Sequence, residues 1–141
     1  MWKALLIDDE ESIRKLLKAI LEMANFTVET AASAKSGIDV LRSRSFDVVI
    51  TDLRMESHLA GYQVAQFASR LSPPPLIALV TAFPVPAADW HRAGADVMFT
   101  KGTDTIQLAS RLQQILESRN SHSGNSARHA QSESTPPRGL S

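Results

Sequence analysis

Short apolar runs alternate with helical patterns along residues 1–117. Several of these runs are apolar at nearly every position and rich in β-branched residues, as expected for strands that are covered on both faces. The predicted strands are residues 4–7, 26–30, 48–51, 76–80 and 96–100. Between and after them, apolar residues recur at helical spacing, and the stripe of Ile13, Leu17 and Leu21 is the clearest case.

Capping residues, proline and glycine help to place the remaining helices. Ser33 can cap the second helix, and Val64 belongs to the apolar stripe of the third. A short fourth helix is expected after Pro86 and before Gly94, and a fifth from about residue 103 or 104. Strands that alternate with helices in one domain pair in parallel through right-handed crossovers. The pattern therefore predicts an α/β fold, a doubly wound five-stranded parallel sheet flanked by five helices.

Composition excludes several classes of function. Lysine plus arginine and aspartate plus glutamate both total 15, so no charge imbalance indicates direct nucleic-acid binding. The chain has no cysteine, which excludes a thiolate zinc site and a thiol nucleophile. No apolar run reaches the roughly 20 residues of a membrane span, and the acidic N-terminus does not resemble a signal peptide. We expect a cytoplasmic protein without membrane insertion.

Residues 118–141 differ in composition from the rest of the chain. They are rich in serine, asparagine, glycine and proline, and Leu140 is their only large apolar residue. Such a segment buries too little surface to offset its chain entropy. We therefore predict one domain over residues 1–117 and a disordered polar tail over residues 118–141.

Reactive side chains follow four of the five predicted strands. They are Asp8 and Asp9 after the first, Asp52 at the third, Thr81 at the fourth and Lys101 at the fifth. Taken alone, the acidic pair could simply cap a helix. The carboxyl ends of parallel strands, however, meet at one edge of the sheet, where such folds bind their ligands.

The chemistry of these residues is compatible with only a few reactions. Three carboxylates at one place repel each other, so they must bind protons or share a cation. With oxygen ligands alone, Mg²⁺ is the natural cation. A carboxylate can attack phosphorus directly, and a metal ion and a lysine would supply positive charge to the transferred group.

Four segments resemble the receiver domains of response regulators, in the order and at close to the spacing of that family. They are LLIDDEES, DVVITDLRM, LVTA and GADVMFTKG, and the resemblance covers about residues 3–117. The resemblance implies a flavodoxin-like fold with strand order 2-1-3-4-5 and roles for seven residues. These are Asp52 as phosphoacceptor, Asp8, Asp9, Asp52 and the Arg54 carbonyl as Mg²⁺ ligands, Thr81 as switch hydroxyl, and the Ala82 amide and Lys101 as contacts of the phosphoryl group.

The chain departs from the family pattern after the lysine and within the fifth strand. Most receivers have a proline after the lysine, usually as a cis peptide, whereas this chain has Gly102. A non-proline cis bond costs about 2.5–4 kcal/mol, so we predict a trans bond and a differently shaped or looser loop. Met98 stands where the family has an aromatic switch residue. This leaves two alternatives, a changed mode of signalling or a tolerated buried apolar residue.

Two further regions near the site differ from the family. Glu56 stands where many relatives have proline; it could hold the metal or repel phosphate, but we favour a solvated loop carboxylate. His58 is expected to be exposed. The interval from Thr81 to Lys101 is shorter than usual by about two residues, roughly half a helical turn, so the fourth helix must begin late. Trp90 in that helix is either an anchor for a partner or partly packed against the sheet.

The resemblance implies a phosphorylation-dependent switch rather than a conventional enzyme. The phosphate donor would be a sensor histidine kinase or a histidine phosphotransfer protein, and the output would pass to another, unknown protein. We expect a monomer or a weak dimer. A phosphorylation-independent protein-binding module is the alternative, motivated by Gly102 and Met98. A metal-dependent phosphohydrolase is a third class, but such enzymes typically have a second aspartate where this chain has Arg54.

Overall fold

Five parallel strands form a single sheet in the order β2-β1-β3-β4-β5. The computed structural model describes residues 1–133, and the side chains of residues 1–120. The strands are β1 (Trp2–Ile7), β2 (Phe26–Ala31), β3 (Val48–Asp52), β4 (Leu76–Thr81) and β5 (Val97–Thr100). The helices are α1 (Glu11–Met23), α2 (Ala34–Ser43), α3 (Ala60–Ser69), α4 (Ala87–Arg92) and α5 (Thr105–Glu133). The predicted fold class and strand order are confirmed.

The chain divides into two compact units, Met1–Ala109 and Ser110–Ser141. The first unit holds the whole sheet, helices α1 to α4 and the start of α5. Within the second unit, the described residues continue α5 as far as Glu133. Residues 118–133 are therefore helical where the sequence analysis predicts disorder, and no proline interrupts that stretch. Residues 134–141 of the predicted tail lie outside the described residues, and the domain boundary at residue 117 stays a prediction.

The core of the first unit lies on both faces of the sheet. Leu5, Ile7, Val49, Ile77 and Leu79 of the strands pack in one cluster with buried residues of α2 and α3. The intervening strand residues face the other side because strand side chains alternate. On α1, Leu17 and Leu21 are buried outside this cluster, and α1 contacts β1 and β2. Covering on both faces explains why the strands read as continuous apolar runs.

The helix ends agree closely with the sequence signals. Ser33 caps α2, and its hydroxyl accepts the Ser36 N–H at 3.0 Å. The short α4 begins after Pro86, which is its N-cap residue rather than part of its first turn. At α5, the Asp104 carboxylate accepts the Thr100 N–H at 2.7 Å, and the helix begins at Thr105. Among residues 1–133, no helix has the length and apolar character needed to cross a membrane.

Candidate functional site

The carboxyl ends of four strands place the candidate residues along one edge of the sheet. Asp8 directly follows β1, Asp52 is the last residue of β3, Thr81 is the last residue of β4, and Lys101 directly follows β5. The strand register aligns these ends, since Asp52 is level with Val80 in the neighbouring strand. Asp8, Asp52 and Lys101 therefore come together because the topology is parallel and the register is regular.

Three carboxylates form the centre of the site. One oxygen from each of Asp8, Asp9 and Asp52 lies within 4.8 Å of the other two. Asp8 is 1% exposed and Asp52 is 8% exposed, whereas Asp9 is open to solvent. Asp8 also accepts the backbone N–H of Glu10 at 2.9 Å, so its second role is to order the start of α1. Two buried carboxylates so close together require a positive partner.

Lys101 supplies that positive charge. Its Nζ lies 2.9 Å from Oδ2 of Asp52 and 3.2 Å from Oδ2 of Asp8. The backbone N–H of Lys101 donates to the Thr81 carbonyl at 2.8 Å, which fixes the point at which the lysine leaves the sheet edge. One ammonium therefore bridges the two buried carboxylates of the cluster.

The electrostatics of the site favour a tight pairing between Asp52 and Lys101. Burial raises the pKa of Asp52, and the charge of Asp8 acts in the same direction, against the opposing effect of Lys101 and the Arg54 N–H. Burial alone would lower the pKa of Lys101, but its bonds and charge interactions with Asp52 and Asp8 outweigh that effect and raise it. The lysine therefore stays charged at neutral pH.

The donor atoms of this cluster suit a magnesium ion. Asp8, Asp9 and Asp52 offer only oxygen ligands, and hard cations such as Mg²⁺ prefer oxygen. Three carboxylates against one ammonium also leave an excess of negative charge for a cation to neutralise. Arg54 is exposed, and its backbone N–H interacts with Asp52. The role of its carbonyl as a metal ligand stays a prediction.

The Thr81 hydroxyl is engaged in a local turn. It donates to the Phe83 carbonyl at 3.0 Å, and the Phe83 N–H approaches the same oxygen at 3.4 Å. Phe83 itself is 67% exposed, and Ala82 between them is exposed. The switch role of the hydroxyl and the phosphate contact of the Ala82 amide stay predictions.

The loop after Lys101 has a defined shape that favours glycine. Within residues 1–133 only Ser72–Pro73 is a cis peptide, so the predicted trans bond between Lys101 and Gly102 is confirmed. Gly102 has a φ of 82°, a conformation that proline cannot adopt. Its N–H donates to the Thr105 hydroxyl at 3.0 Å. The loop is thus differently shaped, as predicted, but it is closed by hydrogen bonds rather than loose.

Met98 and Trp90 pack against the interior. Both are partly buried against the cluster formed by the sheet, α2 and α3. Phe99 is 2% exposed and, as the strand alternation predicts, lies on the opposite face from Met98. This packing supports the interpretation of Met98 as a tolerated apolar residue and of Trp90 as a partly packed one. His58 is exposed, as expected.

Glu56 has a structural partner that the sequence analysis missed. Its carboxylate accepts the backbone N–H groups of Ala34 at 3.0 Å and Lys35 at 3.2 Å, at the start of α2. Desolvation opposes ionisation, but these backbone bonds outweigh it and lower the pKa of Glu56. The expectation of a merely solvated carboxylate is therefore incomplete. No local pattern could reveal the contact, because its partners lie 22 and 21 residues away along the chain.

Comparison with known proteins is consistent with this geometry. The family model of the response regulator receiver domain matches residues 4–113. A probable transcriptional regulator, ycf27 of Guillardia theta, is 34% identical over 121 residues, which cover 84% of this chain and 46% of that protein. The chain thus spans about half the length of that curated relative.

Solved structures show the same fold. A CheY-like receiver domain protein from Methanospirillum hungatei superposes with a TM-score of 0.78 at 22% identity and covers 86% of this chain and 98% of that one. The response regulator TrrA of Thermotoga maritima, solved in complex with Mg²⁺-BeF, gives a TM-score of 0.72 at 26% identity and covers 81% of this chain and 98% of that one. The chain therefore belongs to the response regulator receiver domain family, the signalling domains of two-component systems.

Proposed function

We propose that Asp52 accepts a phosphoryl group from a histidine kinase or a histidine phosphotransfer protein. The observation that carries the proposal is the position of Asp52 at the end of β3, buried, bonded to Lys101 and beside Asp8 and Asp9. A carboxylate in this arrangement is a nucleophile, and Lys101 beside it supplies part of the positive charge that phosphoryl transfer needs.

The chemical step follows from these residues. An oxygen of Asp52 forms a bond to phosphorus while the phosphorus–nitrogen bond of the donor histidine breaks, and the imidazole nitrogen keeps the electron pair and takes a proton from solvent. Lys101 is already within bonding distance of Asp52 and can pair with an oxygen of the transferred group. When bound by Asp8, Asp9, Asp52 and the Arg54 carbonyl, Mg²⁺ would neutralise charge on the phosphoryl oxygens. The similar response regulator TrrA was solved in complex with Mg²⁺-BeF, which supports the choice of Mg²⁺ as the cation.

Two further groups would form hydrogen bonds to the transferred phosphoryl group. The Thr81 hydroxyl can exchange the Phe83 carbonyl for a phosphoryl oxygen, and the Ala82 amide can donate to another. Movement of the loop between β4 and α4 would then alter the surface that a downstream protein contacts. On this proposal the protein acts in the cytoplasm as a monomer or weak dimer, without direct contact with nucleic acid.

A phosphorylation-independent binding module is the second candidate. The observation in its favour is Met98, which lacks a hydroxyl and packs against the interior, so it cannot exchange hydrogen-bond partners as a tyrosine can. The complete set of Asp8, Asp9, Asp52 and Lys101 at one edge favours the phosphoacceptor instead.

Intact-mass measurement tests the proposal. The wild type, Asp52→Asn and Asp39→Asn are incubated with Mg²⁺ and acetyl phosphate; Asp39 is an exposed aspartate on α2 and provides a matched control. One phosphate adduct is expected on the wild type and on Asp39→Asn, and none on Asp52→Asn. Absence of an adduct on the wild type would favour the binding module. Turnover of unrelated phosphate esters would instead indicate a phosphohydrolase.

A further inference from the structure

We propose that Glu56 is a positioning residue that holds the β3–α3 loop, residues 53–59, so that the Arg54 carbonyl faces the metal site. The inference rests on the proposed function, because it concerns the same Mg²⁺ site. It assigns to Glu56 a task beyond stabilising α2: the carboxylate ties the loop next to the nucleophile to a helix on a different part of the sheet edge.

Glu56 makes two separate bonds across this gap. Oε1 accepts the Ala34 N–H at 3.0 Å, and Oε2 accepts the Lys35 N–H at 3.2 Å. The first N–H groups of a helix have no partner within the helix. Within the local cap, the Ser33 hydroxyl accepts the N–H of Ser36 and the Ser33 carbonyl accepts the N–H of Gly37. Glu56 therefore takes the two N–H groups that the local cap leaves, and each bond to the ionised carboxylate is a charge-assisted one.

The chain on the other side of Arg54 is also anchored. The Leu53 N–H donates to the Val80 carbonyl at 3.1 Å, and the Leu53 carbonyl accepts the Gly61 N–H at 2.8 Å. Leu53 is 1% exposed. The Asp52–Leu53 side of the loop is thus fixed to the sheet and to the start of α3, independently of Glu56.

Arg54 lies between these two anchors, and its own N–H interacts with Asp52. Its own side chain is exposed, so the orientation of its peptide group is set by its neighbours. After it, Met55 packs partly against the core and donates its N–H to the Ser57 carbonyl at 3.1 Å. The Ser57 bond is internal to the loop, so Glu56 is the hydrogen-bonding side chain that links this half of the loop to α2. Mg²⁺ demands near-ideal octahedral geometry, so displacement of one carbonyl ligand weakens binding.

Titration calorimetry with MgCl₂ alone, at fixed neutral pH, tests the inference. Three proteins are compared: wild type, Glu56→Ala and Ser33→Ala. Both variants remove a hydrogen-bond acceptor from the start of α2, but only Glu56→Ala releases the loop. We expect Glu56→Ala to raise the Kd for Mg²⁺ about tenfold and Ser33→Ala to change it by less than about twofold. Urea unfolding without metal is expected to show a loss of stability in both variants.

The outcomes separate the inference from the function on which it rests. Equal Mg²⁺ affinities in Glu56→Ala and Ser33→Ala would show that Glu56 only caps a helix and would overturn the inference. If the wild type fails to bind Mg²⁺ and forms no adduct with acetyl phosphate, the proposed function itself is wrong. Should Glu56→Ala not fold, Glu56→Gln replaces it: its single amide oxygen can keep one of the two bonds. The Kd of Glu56→Gln for Mg²⁺ is then expected to be higher than that of the wild type by less than about tenfold. A Kd equal to that of the wild type overturns the inference.

Discussion

Replacing Lys101 with methionine tests the electrostatic account of the site. Methionine keeps much of the length of the side chain and removes its charge. Asp8 and Asp52, which are 1% and 8% exposed, would then face each other without the ammonium that now bridges them. We expect the variant to be less stable than the wild type at neutral pH in the absence of metal.

The magnitude follows from two distances. Unit charges 2.9 and 3.2 Å apart attract by about 6 and about 5 kcal/mol at an effective dielectric constant of about 20. Desolvation of the ammonium and the carboxylates cancels most of this, and removal of one partner from a buried pair costs about 3–5 kcal/mol. Because the Lys101 side chain retains 19% exposure, the expected loss is at the lower end, about 3 kcal/mol.

The difference in free energy of unfolding between the wild type and Lys101→Met should depend on pH. Lys101 has a raised pKa, so its stabilising effect is complete below the ordinary lysine pKa of 10.5 and disappears as the pH rises through the raised value. At the acid end, protonation of Asp52, whose pKa burial raises, removes a charge that needs a partner. The difference between wild type and Lys101→Met should therefore shrink as the pH falls from 7 through the raised pKa of Asp52.

Urea unfolding in EDTA and in excess Mg²⁺ provides the assay. Lys15→Met is the matched control, since Lys15 pairs with Glu11 at 3.1 Å while both side chains are more than two-thirds exposed. That variant should lose less than about 0.5 kcal/mol. Mg²⁺ should stabilise Lys101→Met more than the wild type, because the metal replaces the missing charge. A loss no larger than that of Lys15→Met in EDTA would refute the reasoning.

Substitutions at three other positions have defined expectations. Burial raises the pKa of Asp52, so the wild type loses stability as the pH rises from the ordinary value of 3.8 through the raised one. Asp52→Asn should lack that loss and should melt at a higher temperature than the wild type at pH 7 without metal. Thermal unfolding from pH 3 to 8 measures both effects. Gly102→Ala should lower the free energy of unfolding in urea by about 1 kcal/mol, because the φ of residue 102 is 82°. A steric clash would not contribute, since nothing lies within 4 Å of an added Cβ. Gly102→Pro should lower it further, because it also removes the N–H that donates to Thr105. In Gly61→Ala the added Cβ would lie 2.4 Å from the Asp52 carbonyl oxygen and 2.7 Å from the Leu53 Cα, so the backbone must shift. The free energy of unfolding should fall by about 3 kcal/mol, and the variant should form less phosphate adduct than the wild type. An unchanged adduct yield would contradict this expectation.

The fold could be predicted because its signals are local and repetitive. Short apolar, β-branched runs identified all five strands, and helical stripes together with Ser33, Pro86 and Gly94 identified the five helices. The strand ends were less accurate: β3 and β4 each continue one residue further, to Asp52 and Thr81, because ladder pairs with Val80 and Thr100 still form there. The structure continues α5 to Glu133, into the segment whose polar composition predicts disorder, and the predicted disorder of residues 118–141 stays a prediction.

The clustering of Asp8, Asp52 and Lys101 was also predictable, whereas the hydrogen bonds around them were not. Parallel topology alone brings Asp8, Asp52 and Lys101 to one edge, so the order of strands was sufficient. The capping of α2 by Glu56 depends on the path by which the β3–α3 loop reaches the start of α2. No periodic pattern in the sequence specifies that path. The Thr81 hydroxyl likewise had an acceptor that depends on the turn conformation at Phe83, which residue types do not specify.

The bond between the Thr81 hydroxyl and the Phe83 carbonyl has a consequence for how sharply the proposed switch can respond. A neutral hydrogen bond contributes about 1 kcal/mol, and one to a charged acceptor about 1.5–3 kcal/mol. Exchange of the carbonyl for a phosphoryl oxygen would then gain only about 1 kcal/mol, or about fivefold in the ratio of the two loop conformations. Phosphorylation through this hydroxyl alone would bias the orientation of Phe83 in a graded manner, with both conformations present before and after the event. A downstream partner that contacts Phe83 would have to supply the rest of the bias through its own preference for one conformation.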